Sequence, residues 1–211
     1  MGFRELVEDL KALKSNEEIR RMVEDRLSSF KEVGRGSPGG LFKELAFCIL
    51  AANFTASGSM KIIDALGDRL LKLDVGSLER ELRRLGHRYP HARAEYIVSA
   101  RNMLGEVVRV LRAGGGSRRI REWLVKNVKG LGYKEASHFL RNIGYDDVAI
   151  IDFHIIRLLH RYGLIPEVKR LGKKRYLEIE KLLSEVASQV GMTMAELDLY
   201  LWYMDSGKIL K

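Results

Sequence analysis

The chain has a single cysteine, Cys48, inside the apolar run LAFCIL. One thiol makes no disulfide within the chain and supplies no ligand set for a cysteine-held cluster. Cys48 therefore reads as a small buried hydrophobe. No stretch reaches the roughly 18 apolar residues of a membrane span. The opening MGFRELVEDLKALK is an amphipathic charged helix and not a secretory signal, so an intracellular, cytoplasmic protein is expected. The glycine-rich VGRGSPGG, residues 33–40, lacks the GxxxxGK[ST] pattern of a nucleotide-binding loop and reads as a connection. Strand-like sequence is almost missing: only VAII, residues 148–151, has that character, and it is too short to make a sheet. No repeat of solenoid period is present. These absences leave an all-α protein of about ten helices.

What is present is positive charge. The net charge is +9 and the pI about 9.6, which points to an anionic partner. With 211 residues the chain builds one sizeable domain or two small lobes sharing a cleft.

Residues 3–13 and 16–32 read as two helices, with Ser15 and Glu18 as a capping box for the second. Residues 41–53, LFKELAFCILAAN, are apolar nearly all round, as a central buried helix should be. Asn53, at its end, either projects into a cleft or caps the helix. Two short helices are expected at 60–72 and 77–85. The loop GHRYPHAR, 86–93, sets Arg88 beside Tyr89. A basic residue next to an aromatic suits insertion into nucleic acid, and the alternative is an ordinary turn with a half-buried Tyr89. His87 and His91 do not form a helical metal pair, because Pro90 lies between them. Long helices follow at 92–113, 118–128, 134–143, 153–162 and 173–190. Thr193 with Glu196 caps a last one.

The central stretch is KNVKGLGYKEASHFLRNIGYDDVAIID, residues 126–152. Gly130 and Gly132 bracket Leu131, so a tight hairpin between two helices is available. Such a hairpin presents backbone N–H groups and a positive helix end to a phosphate, or it is simply a corner. Lys134 stands in the first turn of the second helix. A cation there is on the wrong side of the helix dipole, at a cost of about 0.3 kcal/mol. A lysine amine is also a nucleophile. Asp152 opens the next helix, where a carboxylate is a favoured N-cap.

The combination NVKGLGYK followed by VAIID, with 18 residues from Lys134 to Asp152, resembles the helix–hairpin–helix DNA glycosylase superfamily. LAFCILAANFTA and LRRLGHRYPHARAEYIVSAR extend the resemblance over most of residues 41–160. The short length, the absence of C-terminal cluster cysteines and the ending DLYLWYMDSGKILK look like its archaeal-type 8-oxoguanine DNA glycosylase/AP lyase branch.

The resemblance implies two helical lobes with a DNA-binding cleft between them, residues 41–144 forming one and residues 1–40 with 145–211 the other. It implies base-excision repair of double-stranded DNA by a monomer that needs no cofactor. Lys134 would be the Schiff-base nucleophile and Asp152 its catalytic carboxylate. Gly130, Leu131 and Gly132 would hold a phosphate, while Asn53, Arg88 and Tyr89 would occupy the gap left by the extruded base. Trp202 and Lys211 would form the lesion pocket, and the carbonyls of Val128 and Leu131 would hold a monovalent cation. The alternatives are the same chemistry on an oxidised pyrimidine and a non-catalytic DNA-binding module.

Overall fold

The computed structural model describes residues 2–209, all of whose regular structure is helical. Twelve α-helices are present among these residues. They are α1 (Phe3–Ser15), α2 (Glu17–Arg35), α3 (Pro38–Ala51), α4 (Ala56–Leu66), α5 (Val75–Arg84), α6 (Pro90–Asn102), α7 (Leu104–Ala113), α8 (Ser117–Asn127), α9 (Tyr133–Asn142), α10 (Phe153–Arg161), α11 (Lys173–Val190) and α12 (Met194–Ser206). A 3-10 turn, Gly67–Leu71, follows α4.

The expected helix over 92–113 is two helices. It breaks at Met103 (φ −95°, ψ 0°), whose N–H bonds back to the carbonyl of Ala100 at 3.1 Å. The buried positions Ile97 and Val107 lie ten residues apart, about 2.8 turns, so one straight helix would set them about 80° apart around its axis. The cap of α2 also differs from expectation. Asn16 makes it, its Oδ1 accepting from the N–H of Ile19 at 3.2 Å, while the Ser15 hydroxyl bonds back to the Lys11 carbonyl at 2.9 Å.

The chain divides into two compact units, Glu32–Ile143 and the remainder, residues through Lys31 with those from Gly144 onward. The expected boundary in the 33–40 loop is displaced, because α2 continues to Arg35 and the division falls inside that helix.

The Glu32–Ile143 unit is built around α3. Ser37 caps it, its Oγ accepting from the N–H of Gly40, and Pro38 occupies the first turn. Every residue from Leu41 to Ala51 except Lys43 is buried. Each of its large apolar side chains contributes about 1.5–3 kcal/mol by leaving water. The helices α4, α6, α7 and α9 pack around it. A buried polar tie fixes α9 to α3: Asn142 Nδ2 donates to Glu44 Oε1 at 2.6 Å.

In the other unit, α11 is the long scaffold. Residues 148–151 run extended and buried but pair with no strand among the described residues. Side chains of α11 satisfy their backbone instead. Glu180 accepts the N–H of Ala149 at 3.0 Å, and the Tyr176 hydroxyl donates to the Ala149 carbonyl at 2.6 Å. Thr193 and Glu196 form the expected reciprocal box at the start of α12. The Tyr162 hydroxyl donates to Asp9, fastening α1 to the end of α10.

Candidate active site

The hairpin between α8 and α9 spans residues 128–132. Val128 and Leu131 are buried, and the Leu131 N–H bonds to the Val128 carbonyl at 3.3 Å. Gly130 has φ +88°, and a Cβ there would lie 2.6 Å from the ring of Tyr96 on α6. The glycine is needed twice over, for the left-handed backbone and for the close approach. The α8 and α9 arms are laced by Arg121, which donates to the Ser137 hydroxyl at 3.2 Å, and by Tyr133, whose hydroxyl donates to Glu122.

Lys134, half-buried, is the second residue of α9. The first intrahelical bond runs from the Ala136 N–H to the Gly132 carbonyl at 2.9 Å, so the N–H groups of Tyr133, Lys134 and Glu135 stand ahead of it. The Gly132 N–H, one of the expected phosphate donors, is taken by the Glu135 carboxylate at 3.1 Å.

In the same unit, α3 stops at Ala51. Asn53 follows in the left-handed conformation, φ +58°, the one non-glycine positive φ among the described residues. Asparagine tolerates that conformation better than most residues, so Asn53 does end the helix, and its side chain is exposed. The 86–89 loop is pinned to this helix end. His87 is buried and its Nε2 meets the Leu50 carbonyl at 3.0 Å. Its Nδ1 accepts the N–H of Tyr89 at 3.1 Å, and the Phe54 ring lies 4.4 Å away. The buried Arg93 donates to the Ala52 carbonyl at 2.6 Å. Burial pushes the His87 imidazole below its ordinary value, against the Leu50 bond and with the help of the Arg93 charge. Tyr89 is 41 % exposed, with the Arg88 guanidinium 5.2 Å from its ring centroid. Asn53, Arg88 and Tyr89 are thus brought to one place, by His87 and Arg93. Sequence reasoning assigned His87 no such role; its spacing carried no signal for a bond to residue 50.

Asp152 belongs to the other unit. It caps α10, its Oδ1 accepting from the N–H groups of His154 at 2.9 Å and Ile155 at 3.0 Å. Both bonds fall on one oxygen, and Oδ2 takes no part in the cap. Behind it lies a charged hub that sequence reasoning missed. Asp205 on α12, its side chain 3 % exposed, accepts from His154, Arg157 and Arg161 of α10. Burial pushes the Asp205 carboxyl up, but the bonds from His154 and Arg157 outweigh it and hold the group below its ordinary value. The one available signal was the spacing of His154, Arg157 and Arg161 on a single helix face.

The Trp202 ring stands 4.4 Å from His154, at 61°. Its Nε1 is buried without a hydrogen-bond partner among the described residues. Lys211, expected in the lesion pocket, lies outside the described residues. No helix among them is long and apolar enough to cross a membrane, and no group of three or more His, Cys, Asp or Glu is placed to hold a metal ion.

The family model described as Ogg-HhH, 8-oxoguanine DNA glycosylase, matches residues 23–192. A relative from Korarchaeum cryptofilum, named 8-oxoguanine DNA glycosylase/AP lyase, is 49% identical over 212 residues and covers 100% of both chains. The crystal structure of the Methanocaldococcus jannaschii 8-oxoguanine glycosylase/lyase in complex with a 15mer DNA containing 8-oxoguanine has a TM-score of 0.93 at 46% identity, covering 98% of this chain and 99% of that one. The 8-oxoguanine DNA glycosylase of Thermotoga maritima has a TM-score of 0.91 at 44% identity, covering 99% and 100%. With its hairpin, its lysine in the first turn of α9 and its aspartate cap on α10, the chain belongs to the helix–hairpin–helix 8-oxoguanine DNA glycosylase family.

Proposed function

We propose that this chain is a bifunctional DNA glycosylase/AP lyase that removes 8-oxoguanine from double-stranded DNA in base-excision repair. The observation that carries the reading is the placement of Lys134 in the first turn of α9, directly behind the glycine hairpin. That turn offers the N–H groups ahead of its first intrahelical bond and a positive helix end to a phosphate, within one residue of an amine.

The damaged nucleotide leaves the stack before its glycosidic bond is reached. Asn53, Arg88 and Tyr89 occupy the vacated space, and Gly130, Leu131 and the start of α9 hold the backbone. The nitrogen lone pair of Lys134 attacks C1′ of the sugar. The C1′–N9 bond breaks and its electrons leave with the base, which takes up a proton. The Asp152 carboxylate, fixed through Oδ1, stabilises the positive charge on the sugar. Ring opening gives a C1′ imine on Lys134. Loss of a C2′ proton then expels the 3′ phosphate by β-elimination, and water releases the sugar remnant from the lysine. The lysine and aspartate come from different units, so the reaction requires both to reach one nucleotide. Trp202 offers an aromatic face to the extruded base, and the family resemblance assigns Lys211 to its polar edge. The Val128 and Leu131 carbonyls serve a monovalent cation. The enzyme acts as a monomer on intracellular DNA at the nucleoid.

Borohydride trapping tests this. Mixed with duplexes carrying 8-oxoguanine, thymine glycol, uracil or an abasic site, the protein should form a covalent adduct with the 8-oxoguanine and abasic duplexes. Lys134→Gln should abolish the adduct. No adduct with any duplex would sink the lyase reading, and a persisting adduct in Lys134→Gln would show that another amine is the nucleophile.

A further inference from the structure

The 86–89 loop owes its position to a histidine that does not itself reach solvent. A backbone N–H only donates and a carbonyl only accepts, so the two bonds of His87 define its state. Nδ1 accepts from Tyr89, which leaves it unprotonated, and the ring proton sits on Nε2 and goes to Leu50. Both nitrogens are committed in the neutral ring. A second proton would have to sit on Nδ1, against the N–H of Tyr89.

Of its surroundings only the Leu50 carbonyl favours the charged ring, and burial outweighs it. From α3 the ring meets the Leu50 carbonyl, from the turn after α3 it meets the Phe54 ring, and from α6 the charged group facing it is the Arg93 guanidinium, of like sign. The start of the loop is held to α5 by backbone bonds, from the N–H groups of Gly86 to the Arg83 carbonyl at 3.0 Å and of His87 to the Leu82 carbonyl at 2.9 Å. Gly86 has φ +80°, and the Tyr89 carbonyl accepts the N–H of Arg93 at 3.1 Å as α6 begins. His91 is a separate titrating group on the exposed side. Its partner Glu79 accepts at 2.8 Å and raises its value, so protonation strengthens that bond, whereas protonation of His87 opposes its bond to Tyr89.

We propose that His87 is the positioning residue of the duplex-inserting loop: its neutral ring, bonded to Leu50 and to the backbone of Tyr89, holds Arg88 and Tyr89 beside Asn53, and protonation of the ring releases Tyr89. This rests on the reading of Asn53, Arg88 and Tyr89 as the residues that enter the helix. It goes further in naming the residue that sets their register and in giving the step its own pH dependence.

The test uses a duplex with a tetrahydrofuran abasic analogue, which is bound but not cleaved, and 2-aminopurine opposite it as a reporter of unstacking. The full-length enzyme should give a fluorescence rise at neutral pH that falls away on acidification. His87→Phe, which keeps a ring and loses both bonds, should reduce the inserted fraction about tenfold and remove the acid fall. His87→Gln keeps one donor and one acceptor and cannot titrate, so it should restore much of the signal with a flat pH profile. An unchanged acid fall in His87→Gln overturns the proposal, and so does wild-type insertion by His87→Phe. If the wild-type protein traps an abasic duplex but gives no fluorescence change at any pH, the insertion reading itself fails and this proposal with it.

Discussion

Gly130→Ala should damage the hairpin by an amount the structure allows one to work out. The backbone at this position has φ +88°, where an L side chain costs about 1–2 kcal/mol. The new Cβ would lie 2.6 Å from Tyr96 Cδ2, whereas carbon atoms rest about 3.5–4.0 Å apart. The hairpin or the ring must therefore give way by about 1 Å, and overpacking of this kind costs about 1–3 kcal/mol. Alanine recovers roughly 0.4–1 kcal/mol through the less flexible unfolded chain. The net loss is about 1–5 kcal/mol, a large share of the roughly 5–15 kcal/mol that holds a domain folded.

The two causes separate in a double-mutant cycle with Tyr96→Leu. Removing the ring edge relieves the clash but leaves the backbone strain, so the pair should show a favourable coupling of about 1–3 kcal/mol. Urea denaturation of the four proteins gives the cycle, with near-ultraviolet circular dichroism following the aromatic packing. A loss below about 0.5 kcal/mol in Gly130→Ala would refute the strain argument. A coupling near zero would refute the close approach to Tyr96. Affinity for the abasic-analogue duplex should fall with the stability, since the same hairpin is the proposed phosphate grip.

Asp205→Ala should cost about 1–3 kcal/mol, below the full cost of breaking a buried pair because both arginines are largely exposed. It should also loosen His154, seen as a shifted imidazole resonance by NMR, and an unshifted resonance would contradict the hub. Because the folded carboxyl is held below its ordinary value, its contribution is present above the unfolded value of about 3.9 and is lost as pH falls through the folded one; the wild-type acid limb should flatten in the variant. Burial and the bond to Asp9 push the Tyr162 hydroxyl up to about 12. The unfolded chain then releases this proton first, so stability should decline as pH rises from about 10 toward 12, and an unchanged alkaline limb in Tyr162→Phe would contradict the assignment.

Much of the molecule was legible in residue order. The apolar run 41–51, the paired Thr193 and Glu196, and the glycines around Leu131 are local signals, written in side-chain size, hydrogen-bonding capacity and backbone freedom. The GLG hairpin, Lys134 and Asp152 were found the same way, because a lysine behind a tight turn and a carboxylate at a helix start are features of a few consecutive residues. The break at Met103 was not found, because apolar residues continue across it and only the direction of the core shows that they change face. The cap of α2 shifted from Ser15 to Asn16 for a similar reason, as two adjacent residues both suit the role and geometry chose between them.

The sequence by itself therefore determined the helical class, the hairpin and the places of Lys134 and Asp152 at two helix starts. Tertiary structure alone decided what holds them: Tyr96 against Gly130, Glu44 with Asn142, Asp205 gathering His154 and two arginines, and His87 reaching the end of α3. Those contacts join residues 34–98 positions apart, or more than 40 along the chain, as with Asp205 and Arg161. Burial makes each one specific, because a polar group or a close approach inside the protein is tolerated only where its partner meets it, and no periodicity in the chain announces that meeting.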